Sequence, residues 1–397
     1  MLVISIILCL LLFCVGFEIS KHNVIAPYVI TPLVWLTIFI LWMVIPHSLP
    51  MPSNNCFLCI ITWIVLYCFS SASFSIIKVK KATSIIPNKL IRDIYLCISL
   101  ITHILFLFWI INIIKTSGSQ LVWMTIRQTF LKGCPYAGTS YLWQSIYLIE
   151  LLYFDKKKWY RTAFPAWFIL SYSFLTMSKL GFLSFFVLTV ITLILKYKIS
   201  LPKKVFFYGA LLILPFLLIQ SLRAGQNAMN DINDILVLYL LGHISAFDTL
   251  IPCSAVHFAE NTGFIFYKIA SMLHLSSIEP INPILPFISK PIVTNTYTTL
   301  YPFYIDFGYL GIVLFSVFIG FIMGYIYKKA YSGSQYFILL FAYFGTVIIF
   351  QFVGDLFLTN MGAHIRAIVL LLLPYIFGTK KRDAWMNELD VEKSNLE

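Results

Sequence analysis

The stretch Thr294-Asn295-Thr296-Tyr297-Thr298-Thr299-Leu300-Tyr301-Pro302-Phe303-Tyr304-Ile305-Asp306-Phe307-Gly308-Tyr309-Leu310-Gly311 decides how this chain reads. Its first half closes a long polar interruption that begins near Ser221, and its second half runs straight into an apolar stretch. On both sides of the interruption the chain consists mostly of apolar runs. Of 397 residues, 60% are hydrophobic and 11% charged, against about 25% charged in a soluble domain. This composition fits lipid as the main solvent.

Runs able to cross about 30 Å of hydrocarbon lie near residues 1–17, 25–45, 56–77, 94–114, 139–154, 162–178, 180–195, 205–221, 302–327, 335–353 and 361–378. These make about eleven spans, each expected to be a helix because backbone groups in lipid must find partners within the segment. The first run lacks a preceding basic residue and a following small-residue cleavage site, so it reads as a retained anchor. The expected class is an all-α polytopic integral membrane protein. One membrane domain covers 1–378 and a polar cytoplasmic tail covers 379–397. One large outer loop, about 222–300, contains short interfacial helices. No internal repeat, low-complexity linker or appended soluble domain is expected from the sequence.

The net charge of +12 is unevenly spread. With the C-terminus cytoplasmic, the clusters Lys78-Lys80-Lys81, Lys156-Lys157-Lys158, Lys203-Lys204, Lys328-Lys329 and Lys380-Lys381-Arg382 all fall inside, as basic residues prefer. Lys115, Arg127, Lys132, Lys179, Arg223, Lys268, Lys290 and Arg366 remain outside. The basic excess is therefore a topology signal and not a nucleic-acid footprint. Residues 235–252 (ILVLYLLGHISAFDTLIP) are apolar enough to span, but a crossing there would carry the last two clusters outside. A helix lying on the outer face or partly re-entering it is expected instead.

Cys56-x-x-Cys59 has neither a second pair nor a His cluster, so it is not read as a metal site. Cys134 and Cys253 fall outside and read as unpaired thiols, with a disulfide as the alternative. Residues 276–300, with Pro280, Pro283, Pro286 and Pro291, should be extended and irregular.

The chemistry-bearing residues gather on the outer side. Arg223 opens the large loop, where a guanidinium grips a phosphate or anchors a span end. His243 and Asp248 offer a base and a carboxylate, or a solvated pair on a surface helix. Asp306 is a base or a helix cap. Tyr297, Tyr301, Phe303, Tyr304 and Phe307 suit stacking on sugars or an interfacial aromatic belt. Arg366 lies beside His364 and is placed to pair with Asp355. Arg223, Arg366, Lys179 and Lys290 together would form a cationic pocket for a lipid diphosphate. Glu150 and His103 lie within spans, Glu150 near a lysine-rich end and His103 in plain core. Gly320-x-x-x-Gly324 is a helix-packing motif.

The motif Thr294-Asn295-x-Tyr297-Thr298, then Tyr304-x-Asp306-Phe307-Gly308-x-x-Gly311, Gly320 and Tyr325-x-Tyr327, on a chain of this length and hydropathy, resembles bacterial O-antigen polymerases. Thr176-Met177-Ser178-Lys179-Leu180-Gly181 is similar to a Ser-Arg-Gly-like turn of that family, with Lys179 where Arg is usual. The resemblance implies a glycosyltransferase of the inner membrane of a Gram-negative bacterium, with its active site facing the periplasm. Its substrates would be undecaprenyl-diphosphate-linked glycans in membrane lipid. A chain-length regulator would be a partner, and neither metal, cofactor nor nucleic acid is needed. Arg223, His243 and Asp306 become the catalytic candidates. Lys179, Asp248, Lys290, Asn295, Tyr297, Tyr301, Tyr304 and Arg366 become the substrate-binding ones. A lipid-linked oligosaccharide flippase and an O-antigen ligase are the alternatives.

Overall fold

The computed structural model describes residues 1–77, 85–117, 122–199, 218–219, 232–281 and 285–380. Among these the chain is almost wholly helical: α1 (Leu2–Ile19), α2 (Pro27–Val44), α3 (Asn54–Ala72), α4 (Lys89–Thr116), α5 (Val122–Gly133), α6 (Ser140–Leu152), α7 (Tyr160–Leu175) and α8 (Lys179–Tyr197). After Ile232–Leu236 (α9), a π turn at Val237–Leu241 leads into Gly242–Asp248 (α10). The remaining helices are α11 (Phe264–Met272), α12 (Tyr301–Tyr331), α13 (Gln335–Ile349) and α14 (Met361–Ile376). A two-residue β1 (Ile85–Ile86) pairs antiparallel with β2 (Thr379–Lys380).

Among the described residues, six helices are long and apolar enough to cross a membrane: α1, α2, α3 with its 3-10 extension, α4, α8 and α12. The apolar α13 and α14 are shorter. The expected spans at 139–154 and 162–178 form α6 and α7, helices of 13 and 16 residues, where about 20 cover the hydrocarbon. The expected span at 205–221 lies outside the described residues except for Leu218 and Ile219.

The connecting segments sort into two ends of the bundle. At one end Ile85 N donates to Gln335 Oε1, Asn88 Nδ2 to the Phe377 carbonyl, Lys328 Nζ to that of Ser75 and Lys196 Nζ to that of Leu151. At the other, Thr299 N donates to the Gln351 carbonyl and Arg127 to that of Thr176. Each bond joins segments that an alternating path of helices places at the same end.

The run 232–248 is tied to the second end at both of its own ends. Asn233 Nδ2 donates to the Pro46 carbonyl (2.8 Å), and Ser53 donates from both its N and its Oγ to the Asp248 carboxylate. Pro46 and Ser53 belong to one connector, so both ends of the run are fixed to that end of the bundle. Its Leu241, Ala246 and Phe247 are buried. Residues 285–300 are irregular, with one bridge between Ile288 and Thr294.

Helices α3 and α12 pack at close range. A Cβ at Gly320 would fall 2.8 Å from the Tyr67 carbonyl, and one at Gly324 would overlap the Ser71 backbone. Only hydrogen fits at such an approach. Gln351, at the end of α13, joins three elements. Its Oε1 accepts from Trp63 Nε1 (3.0 Å), and its Nε2 donates to Thr31 Oγ1 (3.2 Å) and the Ile348 carbonyl (2.8 Å).

Glu150 neither snorkels nor faces a pathway. It is buried and held by two arginines: Arg92 donates from Nε (3.0 Å) and Nη2 (2.6 Å), and Arg161 from Nε and Nη2 (3.0 Å each). Arg161 Nη1 also donates to Asp93 (2.6 Å). The cluster locks α4, α6 and α7 together at the basic end. Breaking a buried pair from one side strands the remaining charges. Glu150→Gln should therefore cost roughly 3–5 kcal/mol of unfolding stability in detergent micelles. Glu18→Gln, at an exposed residue, should change it by less than about 0.5 kcal/mol.

Candidate functional site

A cavity of about 300 Å³ opens among α5, α6, α7, α8, α13 and α14. Its wall is polar for so apolar a bundle, with Ser140, Gln144, Ser173, Ser178, Asn360 and His364 among the lining groups. The lining includes the beginnings of α6, α8 and α14, so it lies toward the end that holds the 232–300 segment. Tyr141, Tyr172 and Tyr343 add hydroxyls on aromatic rings.

The local sequence explains how the wall is built. Ser178 caps α8, its hydroxyl accepting from Gly181 N (3.3 Å). The preceding Met177 is buried at φ 56°, which turns the chain sharply from α7 into α8. Gly181 sits against Ser173, where a Cβ would fall 2.9 Å from the Ser173 Cβ. On the opposite wall Asp355 accepts from the backbone N–H groups of Phe357 (3.0 Å), Leu358 (3.1 Å) and Thr359 (2.9 Å). Burial pushes its carboxyl above the usual carboxylate range, against those donors. The turn aims the Leu356 carbonyl at His364 Nε2 (2.8 Å). A carbonyl only accepts, so Nε2 carries the proton in the neutral ring. Nδ1 is then left to accept from the Tyr343 hydroxyl (3.1 Å).

Two cations pack on lining residues, although neither lines the cavity itself. The Arg366 guanidinium lies over the Tyr141 ring (5.6 Å), its Nε donates to the Gly362 carbonyl (3.1 Å), and its Nη1 lies against Gly138. Arg127 holds the Thr176 carbonyl (3.3 Å) and packs over Phe130, itself part of the lining. The expected Asp355–Arg366 pair does not form, because Asp355 turns its oxygens to its own turn.

The structure separates the expected site residues. Lys179 follows the capping Ser178, is buried, and donates to the Tyr239 hydroxyl (2.8 Å) in the π turn. The carbonyl of the same Tyr239 meets His243 Nε2 (2.7 Å). His243 is thus engaged within its own segment, and its buried ring also faces the Thr296 backbone. Asp248 serves the start of α3 through Ser53, which caps that helix, and does not meet His243.

Asp306 is not an open base. It accepts from Asn261 N (3.3 Å) and Nδ2 (2.7 Å) and from Thr262 N and Oγ1 (2.7 Å each). Tyr297 and Tyr301 are buried against Ala246, their rings 4.8 Å apart, and the Tyr297 hydroxyl donates to the Pro286 carbonyl (3.0 Å). Tyr304 packs on Phe247 (5.2 Å). Tyr297 and Tyr301 are thus core residues, and Tyr304 is half-buried beside them. Asn295 is half-buried and Lys290 exposed in the 285–300 segment, and neither lines the cavity. Arg223 lies outside the described residues. Cys134 and Cys253 are free thiols, and His103 is buried, its ring stacked on Phe168 (4.4 Å).

Sequence reasoning passed over Tyr343, His364 and Asp355 as a set. The one signal present was His364 two residues before Arg366. Compared with known proteins, the chain matches no family model, no curated protein and no solved structure.

Burial lowers the His243 pKa from 6.5 to about 4. The unfolded chain therefore binds the extra proton first, and His243 adds stability above pH 6.5 that is lost as pH falls toward 4. The full loss is roughly 3 kcal/mol, at about 1.4 kcal/mol per pKa unit. Unfolding midpoints of the detergent-solubilised protein should fall between pH 7 and pH 4, with a shallower slope for His243→Asn.

Proposed function

We propose that this chain is an O-antigen-polymerase-type glycosyltransferase. In this reading it joins polyprenyl-diphosphate-linked oligosaccharide repeats at the outer face of a bacterial inner membrane. About eleven crossings, with the basic clusters cytoplasmic and the 222–300 loop periplasmic, set that orientation. The observation that carries the proposal is the hydroxyl- and amide-lined cavity set into an apolar bundle, with Arg366 and Arg127 packed on its lining residues Tyr141 and Phe130.

A saccharide needs many polar partners, and a diphosphate leaving group needs cations at membrane level. The acceptor hydroxyl oxygen bonds to the donor's anomeric carbon, and the bond from that carbon to the diphosphate oxygen breaks. The electron pair leaves with the lipid diphosphate, which Arg366, with Arg127 and the α8 start, stabilises. The acceptor proton passes to the Tyr343 oxygen as Tyr343 gives its own to His364 Nδ1. The Leu356 carbonyl stabilises the ring that becomes cationic. His243 and Asp306 serve as positioning residues in this scheme, since their acceptor atoms are already engaged or enclosed. Undecaprenyl-diphosphate-linked glycans are the substrates the resemblance implies.

The test is lipopolysaccharide resolved on a gel from a deletion strain carrying each variant. Arg366→Ala and His364→Gln should each lower polymer yield about 100-fold or more, the order seen when one transition-state donor is removed. Core plus a single repeat should persist. Arg366→Lys should recover part of the yield. An unaltered ladder from both variants, at wild-type protein levels, would contradict the assignment.

A further inference from the structure

The segment between α10 and α11 is more apolar on its surface than a water-facing loop should be. Val256 and Phe258 are each 82% exposed, and Phe266 and Met272 each 72%. On α11, Phe266, Ile269, Met272 and Leu273 recur at helical spacing and are all exposed, so they form one apolar stripe. Lys268 lies off that stripe.

This surface continues a lipid-facing one. Along α12, Leu310, Leu314, Phe318, Phe321 and Tyr325 are exposed in a single helical stripe on a span. Phe258 meets Phe307 (5.6 Å), Phe307 meets Phe315 (6.3 Å), and Phe315 meets Phe318 (6.5 Å). A row of rings thus leads from the loop tip to the face of α12 that lies in hydrocarbon.

Much of the tip's backbone is also partnered, within the tip or by Asp306, which favours immersion. Val256 N and His257 N donate to the Glu260 carboxylate (3.0 and 3.1 Å). The Phe258 carbonyl accepts from the Tyr267 hydroxyl (2.7 Å), and that of Ala259 from Gly263 N (2.7 Å). Asn261 N and Thr262 N donate to Asp306.

We infer that residues 256–275 form a wedge that lies in the lipid leaflet at the loop end. Its apolar side chains reach the acyl chains, and Asp306 is the positioning residue that fixes its angle. A wedge of this kind enters about 5–10 Å below the headgroups. The inference stands on the membrane reading of α12 and does not need the glycan reading.

The test is a diazirine amino acid placed singly at Phe258, Phe266, Leu310 or Lys268 in the full chain, photolysed in native membranes, with adducts identified by mass spectrometry. Phospholipid adducts at 258, 266 and 310, with water quenching at 268, are expected. Water quenching at 258 and 266, or crosslinks there to another protein or a second copy, would overturn the wedge. With Asp306→Ala, lipid adducts at 258 and 266 should fall severalfold while those at 310 persist. Unchanged adducts at 258 in that variant would remove Asp306 from the positioning role, and the wild-type background tests the wedge even if the variant does not fold.

Discussion

Inside a membrane every backbone carbonyl needs a partner, and where α12 leaves helical geometry at Gly308 it takes those partners from another segment. There φ is +60° and ψ is −142°, a conformation open to glycine. The carbonyls of Tyr304 and Ile305, which a regular helix would satisfy from residues 308 and 309, accept instead from Cys253 N (3.1 Å) and Ala255 N (3.2 Å). A Cβ at Gly308 would also fall 3.0 Å from the Cys253 sulfur. The kink therefore holds the long 232–300 segment onto the bundle, and the motif around it shares the work. Asp306 clamps Asn261 and Thr262, Phe307 packs on Phe258, and Gly311 lets the helix approach the Phe303 carbonyl.

Two ends of one bundle thus take different tasks. At the basic end a buried Glu150 with Arg92 and Arg161 fixes three helices, a rigid closure with its charges spent on one another. At the other end the polar groups are left facing a cavity. The Asp355 turn, the Leu356 carbonyl, His364 and Tyr343 form a chain of hydrogen bonds in which each member orients the next. Preorganised dipoles of this kind are what transition-state stabilisation needs.

Hydropathy carried the fold, because ten of the eleven expected apolar runs match the long or shorter apolar helices or α6 and α7, often within a few residues. At 235–252 the charge argument expects no crossing, and the structure ties both ends of 232–248 to the Pro46–Ser53 connector. The glycine pair Gly320 and Gly324 was legible as a packing signal, which needs only spacing. The site was less legible. Asp306 and the tyrosines stood out as polar residues in a loop, yet their partners Asn261, Thr262 and Pro286 are distant in sequence. Nothing local announces that a carboxylate is saturated or a ring buried. The Tyr343–His364 contact is equally hidden, since it joins two helices across a turn set by Asp355.

The most direct measurement is a reconstituted reaction. The purified chain in lipid nanodiscs would be supplied with a polyprenyl-diphosphate-linked oligosaccharide repeat, and products separated by mass. Polymerase chemistry predicts lipid-linked dimers and longer species with one free polyprenyl diphosphate released per bond formed, and loss of both products with Arg366→Ala. Unchanged substrate in the presence of folded protein, or release of free diphosphate without joined repeats, would contradict it.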